Sequence, residues 1–307
     1  MKQKKICVIV PVYNCESWID DCLRSITTQT YQDIIIVLVN DGSKDHSLDK
    51  CKEWASIDTR IVVIDKPNGG VSTARNAGID KAIQLQTDYI AFVDADDWIA
   101  PNMYEEMLAL IDRENADLCI CGRTRECKGK SITYPDKGYQ VFLNGRLDMR
   151  NLSNQYDINI SCNKLYPIKL FAEGLRFPID IQFGEDLVFE VEVLKRTDII
   201  AYVSIGYYHY RDNQDSVSYN MSRTKLQDAI IANTKLYHYM KEKKCNLTIP
   251  FDFAFGAYVR AYNSGGVKCK FYLEYFKFFF KEILVCSKHL KCWIFLLCPY
   301  LYYKLKK

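Results

Sequence analysis

No run of eighteen residues in this 307-residue chain is apolar and free of charge, so a membrane-spanning helix is not expected. The opening residues, MKQKKICVIV, imitate a signal peptide, but Pro11 and Asn14 cut the apolar run and no small-residue cleavage site follows. Histidine is scarce, with four residues, and none of the thirteen cysteines forms a C-x-x-C pair. Cys119 and Cys121 come closest, spaced to share one face of a strand. With no histidine cluster beside them, reduced and mostly buried thiols are expected rather than zinc. No internal repeat and no low-complexity linker appears. Positive charge is also missing from most of the chain. The formal charge is +3, but residues 268–307 hold nine Lys against two acids, a net +7, so the other 267 residues carry −4. That excludes a broad nucleic-acid-binding surface, and nucleic acid is not an expected partner. The place implied is the cytoplasm.

What is present is an ordinary globular balance, 49% apolar and 26% charged, at a length that suggests about two domains of roughly 150 residues. The first 120 residues alternate regularly. Apolar runs at Ile6–Val12, Ile34–Val39, Arg60–Asp65, Tyr89–Val93 and Leu118–Cys121 predict strands. Between them, Glu16–Thr28, Asp45–Ile57, Val71–Leu85 and Pro101–Arg113 predict helices, the last opened by a proline in its first turn. Strands apolar on both faces and alternating with helices indicate a doubly wound α/β fold, its mostly parallel sheet covered by helices on both faces. Functional loops then belong at the carboxyl ends of the strands. Beyond residue 122 the pattern loosens. Thr124–Tyr134 fits a strand pair, Asn163–Ala172 contains a short helix, Glu185–Lys195 is helical and Ile199–Tyr210 is strand-like. After a soft boundary near residue 220, helices are expected at Lys225–Met240, Phe251–Tyr262 and Phe271–Leu284.

Four polar segments fall at strand ends. Asp94-Ala-Asp96-Asp97 follows a buried strand, and three like charges there raise one another's pKa unless a cation joins them. Hard oxygen ligands of this kind suit Mn2+ or Mg2+ bound to a substrate phosphate, although acids capping the helix at Pro101 would look the same. The first strand ends in a turn at Val10-Pro-Val-Tyr-Asn14, and the second ends in Asn-Asp41-Gly, which also reads as an Asx turn. Asn68-Gly-Gly-Val-Ser72-Thr-Ala-Arg75 places two glycines before a helix N-terminus, whose free N–H groups suit an anion, with Arg75 one turn in. It is neither a P-loop nor G-x-G-x-x-G. Together the four loops point to a nucleotide-diphosphate pocket.

VPVYN, VNDGS, NGGVSTARNAG and DADD, in this order, with NKLY at 163–166 and FGEDLVF at 183–189, resemble family 2 glycosyltransferases of the GT-A fold. The resemblance runs from about Lys5 to Asn220, in the style of enzymes that build bacterial capsule, O-antigen or exopolysaccharide. It implies a UDP-sugar donor and a saccharide or lipid-linked saccharide acceptor. It further implies that Pro11, Val12 and Tyr13 pack against the base and that Asp41 accepts from the base N3–H. Arg75 holds Asp94 and the nucleotide in register, with Asp94 near the ribose; Asn14, Gly70, Ser72 and Ala95 complete the nucleotide set. Asp96 is the implied metal ligand, supported by Asp97. Residues 1–220 would form the transferase domain, with 1–121 as its nucleotide-sugar half and 122–220 as its acceptor and catalytic half.

A second acidic pair, Glu185-Asp186, opens an apolar-periodic helix, where acids also serve simply as N-terminal charge. Inverting sugar transfer needs one base for the acceptor hydroxyl. In the family the acid of the matching pair supplies it, which makes Asp186 the implied base and Glu185 its orienting partner. No Ser-His-Asp or Cys-His set competes. His209, after a tyrosine-rich strand, joins the candidate metal ligands or has a structural place. Arg211 and Ser216 match the family's closing-loop pattern, reaching the diphosphate when the loop seals. Residues 221–307 read as a helical region whose tail mixes lysines with twelve aromatics. Tyr300, Tyr302 and Tyr303 before Lys304, Lys306 and Lys307 suit peripheral membrane contact at the inner face of the cell membrane. A helical subdomain or homodimer contact would bury the same surface. A nucleotidylyltransferase would share the fold and acidic site but calls for a Gly-rich basic segment after the first strand, which VPVYNCESW lacks. A catalytically inactive, membrane-tethered scaffold would have no need for Asp41, Arg75, Asp94, Asp96 and Asp186 together.

Overall fold

The computed structural model describes residues 4–127, 130–133, 139–143, 159–212 and 222–243, with 254–255, 257–258, 275 and 277–279. The most apolar run forms its centre. β1 (Ile6–Val12) is buried at every position except Pro11, so both faces of this strand are covered. It pairs in parallel with β2 (Ile34–Asp41) and with β4 (Tyr89–Phe92), and β2 pairs in parallel with β3 (Ile61–Lys66). The helices between them turn their apolar stripes inward. α1 (Ile19–Thr27) buries Ile19, Cys22, Leu23 and Ile26 and carries Asp20 and Asp21 in its first turn, where carboxylates favour the helix dipole. α2 (Ser47–Ile57) packs beside β3, and α3 (Val71–Gln84) lies along β1 and β2.

Past β4 the sheet is mixed. After the two-residue β5 (Trp98–Ile99), α4 (Met103–Glu114) ends at Asn115 in the left-handed region, and β6 (Leu118–Cys127) follows. The sequence pattern placed this strand as the next member of the parallel series. Instead, β9 (Lys164–Pro167) stands antiparallel between β4 and β6, and with β10 (Ile199–Arg211) beyond β6 the order is β3-β2-β1-β4-β9-β6-β10-β5. Four residues are too few to show a strand period, which is why NKLY gave no sign of it. β7 (Lys130–Thr133) folds back on β6, and β8 (Tyr139–Leu143) on β10. α5 (Ile168–Ala172) and α6 (Glu185–Leu194) follow β9, and α7 (Arg223–Glu242) packs on α6 through Leu187, Val188 and Ala232. The expected boundary near residue 220 lies outside the described residues, as do most of the expected helices at 251–262 and 271–284. Phe279 is buried and stands 5.2 Å from the Tyr258 ring.

Beneath the strand ends, Phe92, Tyr166, Phe171, Phe177 and Phe189 form one aromatic cluster. Phe177 and Phe189 stack at 3.9 Å, and Phe92 meets Phe177 edge-on at 5.2 Å. Such pairs add to plain apolar burial and fix ring orientations, giving the site a stiff floor.

β10 runs parallel to β6 but slips register between Val203 and Tyr208. Gly122 lies at the slip: a Cβ there would sit 2.4 Å from the Ser204 carbonyl oxygen and 2.8 Å from that of Ile205. A neighbouring backbone cannot rotate away as a side chain can. Gly122→Ala is therefore expected to destabilise the protein by about 1–3 kcal/mol through overpacking, read as a lower denaturant midpoint at unchanged slope. An unchanged midpoint would mean that the two strands can part locally at no cost.

Candidate active site

The loops after β1, β2 and β4 open at one edge of the sheet. After β1, Asn14 takes a left-handed φ of 49°, tolerated by its short polar side chain. Its backbone N–H donates to Ser43 Oγ (3.1 Å), and its Oδ1 accepts from the Lys44 N–H (2.8 Å), tying the first loop to the second. Pro11 is half-buried, Val12 buried, and the Tyr13 ring 49% exposed beside them.

Asp41, at the end of β2, is almost fully buried. Its two carboxylate oxygens accept from the Gly69 N–H (3.0 Å) and the Gly70 N–H (2.8 Å), and Lys66 Nζ pairs with it. The sequence reading left these loop N–H groups for an outside anion. In the structure the chain supplies that anion itself. Gly70, at φ 89°, has open space where a Cβ would stand, and Ser72 Oγ just inside α3 is buried with no protein partner among the described residues.

Arg75 is the hub. Only 3% of its side chain is exposed. Its Nη2 donates to Asp94 Oδ1 at 3.0 Å, and its Nη1 donates to Asp186 Oδ1 at 2.6 Å and reaches Glu185 Oε1 at 3.4 Å. The guanidinium lies 5.1 Å from the Phe177 ring centre. Burial lowers its pKa, but Asp186 and Asp94 outweigh that and hold it well above its ordinary value. Segments 110 residues apart thus meet on one cation. The sequence motifs pointed to the Arg75–Asp94 pairing but carried no sign of the reach to α6.

Around Asp94-Ala95-Asp96-Asp97, the four residues differ in surroundings. Ala95 is buried. Asp97 is buried, its Oδ2 accepting from Tyr208 O–H (2.6 Å) and its Oδ1 from the Arg211 N–H (2.8 Å). Burial, then the charges of Asp94 and Asp96, push its pKa well above the usual carboxylate range. Asp96 is half-buried, and its backbone carbonyl accepts from Arg211 Nε at 2.9 Å. His209 stacks on Trp98 at 5.3 Å, with Nδ1 2.9 Å from Glu126 Oε1. The Arg211 guanidinium lies between Trp18 (4.5 Å) and Trp98 (4.6 Å) and also reaches Asp21. In the sequence Trp18 belongs to the apolar spacing of the first helix, and Trp98, Glu126 and Tyr208 are single residues that follow no motif, so none stands out as a site residue. Ser216 lies outside the described residues. Among the described residues, no group of three or more His, Cys, Asp and Glu forms a ready-made metal cage, and no helix is long and apolar enough to cross a membrane.

Glu185 and Asp186 open α6 after Gly184, which takes a left-handed φ of 82°. Burial and the Asp186 charge push Glu185 up to about 7. Burial also raises Asp186; Arg75 opposes that and Asp94 adds to it. Ser161 Oγ donates to Asp186 Oδ1 at 3.2 Å, a contact with no sequence signal.

The chain matches the sequence model of "Glycosyl transferase family 2" over residues 7–175. It is 36% identical over 223 residues to the glycosyltransferase GlyA of Streptococcus pneumoniae serotype 4, covering 70% of this chain but only 31% of that protein. It is 32% identical over 263 residues to EpsH of Bacillus subtilis strain 168, described as a glycosyltransferase, covering 79% of this chain and 74% of EpsH. The fold resembles the crystal structure of residues 1–349 of S. aureus TarS in complex with UDP-GlcNAc, at a TM-score of 0.63 and 19% identity, covering 85% of this chain and 73% of that fragment. The chain belongs to glycosyl transferase family 2.

The raised Glu185 pKa has a consequence for stability. Because the folded value (about 7) lies above the ordinary 4.5, the group's contribution is fully present below pH 4.5 and is lost as pH rises through 7. Glu185→Gln removes that loss. The variant should gain on the order of 1–3 kcal/mol over wild type above pH 7, with the gap shrinking toward pH 4.5. Urea melts at pH 4.5, 6 and 8 read this; a pH-independent difference would overturn it.

Proposed function

We propose that this member of glycosyl transferase family 2 transfers a hexosyl or N-acetylhexosaminyl group from a UDP-sugar to a hydroxyl of a saccharide or lipid-linked saccharide, with inversion. The observation that carries the reading is Arg75, which joins Asp94 on the donor side to Asp186 on α6. Uracil packs on Pro11, Val12 and the exposed face of Tyr13, and Asp41 shares a remaining lone pair with the base N3–H. Asp94 lies toward the ribose. The acceptor oxygen attacks the anomeric carbon from the face opposite UDP, its proton passes to Asp186, and the bond to UDP breaks with its electron pair on the diphosphate. Asp186 suits this task because it is largely shielded from water and, among the described residues, anchored through Oδ1 alone, whereas Glu185 orients the pair.

The donor set fits a divalent cation held jointly with the substrate. Asp94, Asp96 and Asp97 crowd negative charge that a cation relieves, and Asp96 is the carboxylate at the rim. Asp96 would hold Mn2+ or Mg2+, with Asp97 beneath it and His209 directed by Glu126. When bound, such an ion supplies charge neutralisation of the departing diphosphate. Arg211, with Ser216, reaches the diphosphate when the loop closes, and this excludes water. A 30% identical relative, the minor teichoic acid biosynthesis protein GgaB of Bacillus subtilis strain 168, supports a role in surface-polysaccharide synthesis, and the basic, aromatic tail supports contact with the inner face of the cell membrane.

A thermal-shift screen of UDP-sugars with and without Mn2+ tests the donor reading: a ligand at 100 times its dissociation constant stabilises by about 2.7 kcal/mol. Asp186→Asn should keep that shift while turnover falls on the order of 10²–10⁴-fold. Near-normal turnover would move the base to Glu185 or His209. Removing Trp293–Lys307 should release the protein from anionic liposomes at low salt without changing UDP binding. If the intact chain fails to sediment with those liposomes, the tail is a packing or dimer element.

A further inference from the structure

Below Asp186 lies a set of buried polar groups that the transfer reaction does not use. Lys164, on β9, and Glu190, on α6, have fully buried side chains with Nζ and Oε2 3.8 Å apart. Lys164 Nζ donates to the Ile160 carbonyl and to Asn163 Oδ1 (2.9 Å). The buried Tyr166 hydroxyl bonds both to Glu190 and to the Ser161 carbonyl (3.1 Å). Asn163 Nδ2 donates to the Cys121 carbonyl at 2.7 Å, fastening the segment to β6. Charges so far from water cost several kcal/mol each, and as a stability device the pair is poor. Lys164 and Tyr166 both grip one short stretch, residues 160–163, and Glu190 meets both of them from α6. Ser161, fully buried within it, presents its hydroxyl to Asp186 Oδ1.

Arg75 reaches that same oxygen, and among the described residues no donor reaches Oδ2. We propose that Ser161 is a positioning residue for Asp186: it fixes the carboxylate with Arg75 so that Oδ2 faces the acceptor hydroxyl, and the buried Lys164–Tyr166–Glu190 set exists to hold Ser161 in place. This rests on Asp186 being the base. The direction of polarisation agrees. Burial raises the Asp186 pKa and Asp94 and the neighbouring Glu185 oppose its ionisation, while Arg75 from α3, Lys164 from β9 and the Ser161 hydroxyl favour it. The Cys162 thiol beside it is itself pushed up by burial.

Ser161→Ala removes the hydroxyl from a buried position without adding volume, and Ser161→Thr restores it. The Asp186 carboxyl is followed by carbon-detected titration, its signal identified by its loss in Asp186→Asn. In Ser161→Ala its midpoint should rise by about half to one pH unit and return in Ser161→Thr. UDP release from UDP-GlcNAc, with water as acceptor, should fall about ten- to a hundredfold at unchanged UDP affinity, and Tyr166→Phe should move both readouts the same way. A merely structural serine would lower the melting temperature and leave the titration where it was. An unmoved midpoint in Ser161→Ala overturns the proposal whatever Asp186→Asn does. Normal UDP release by Asp186→Asn instead overturns the base reading and leaves the titration to judge Ser161 alone.

Discussion

A guanidinium removed from water amid three carboxylates is the constraint around which this structure is arranged. A lone buried Arg75 would cost more than its packing returns, and Asp94, Glu185 and Asp186 without it would repel one another. Each is tolerable only where the others are. α3, the end of β4 and the start of α6 must therefore hold fixed positions, and the aromatic cluster beneath them supplies the rigidity. Acids from the end of β4 and the start of α6 are brought to one point by electrostatics and kept there by packing.

The same economy of polar groups runs through the loops. Asp41 closes the loop before α3, and Asp97 gathers Tyr208 and the Arg211 backbone. Both acids sit where a ligand is expected, yet both already satisfy backbone N–H groups of the chain. A carboxylate oxygen has more than one lone pair, so such an acid can serve the chain first and a substrate second.

Much of the first half was legible because its physics is local. β1, β2 and β4 are runs apolar on both faces, and α1 shows its buried stripe in the spacing of Ile19, Cys22, Leu23 and Ile26. The acids of DADD and GED stood out as clusters. What escaped notice depends on distant partners. Ser161 is one serine among many until Asp186 lies above it, and Trp18 becomes one wall of a slot only when Arg211 arrives from β10. β9 is too short for a period, and the register slip in β10 follows from the approach of Gly122 to a carbonyl on another strand.

β9 joins the two halves of the sheet narrowly. It meets β4 through Tyr89–Pro167 and Ile90–Tyr166, and β6 through Cys119–Leu165 and Ile120–Lys164. On one side lie strands β1 to β4; on the other lie β6 and β10. That seam is not the whole tie: Arg75 of α3 bonds Asp186 of α6, and Asp97 accepts from Tyr208 of β10. A change on either side of β9 that moves one of these contacts is therefore felt on the other side as well.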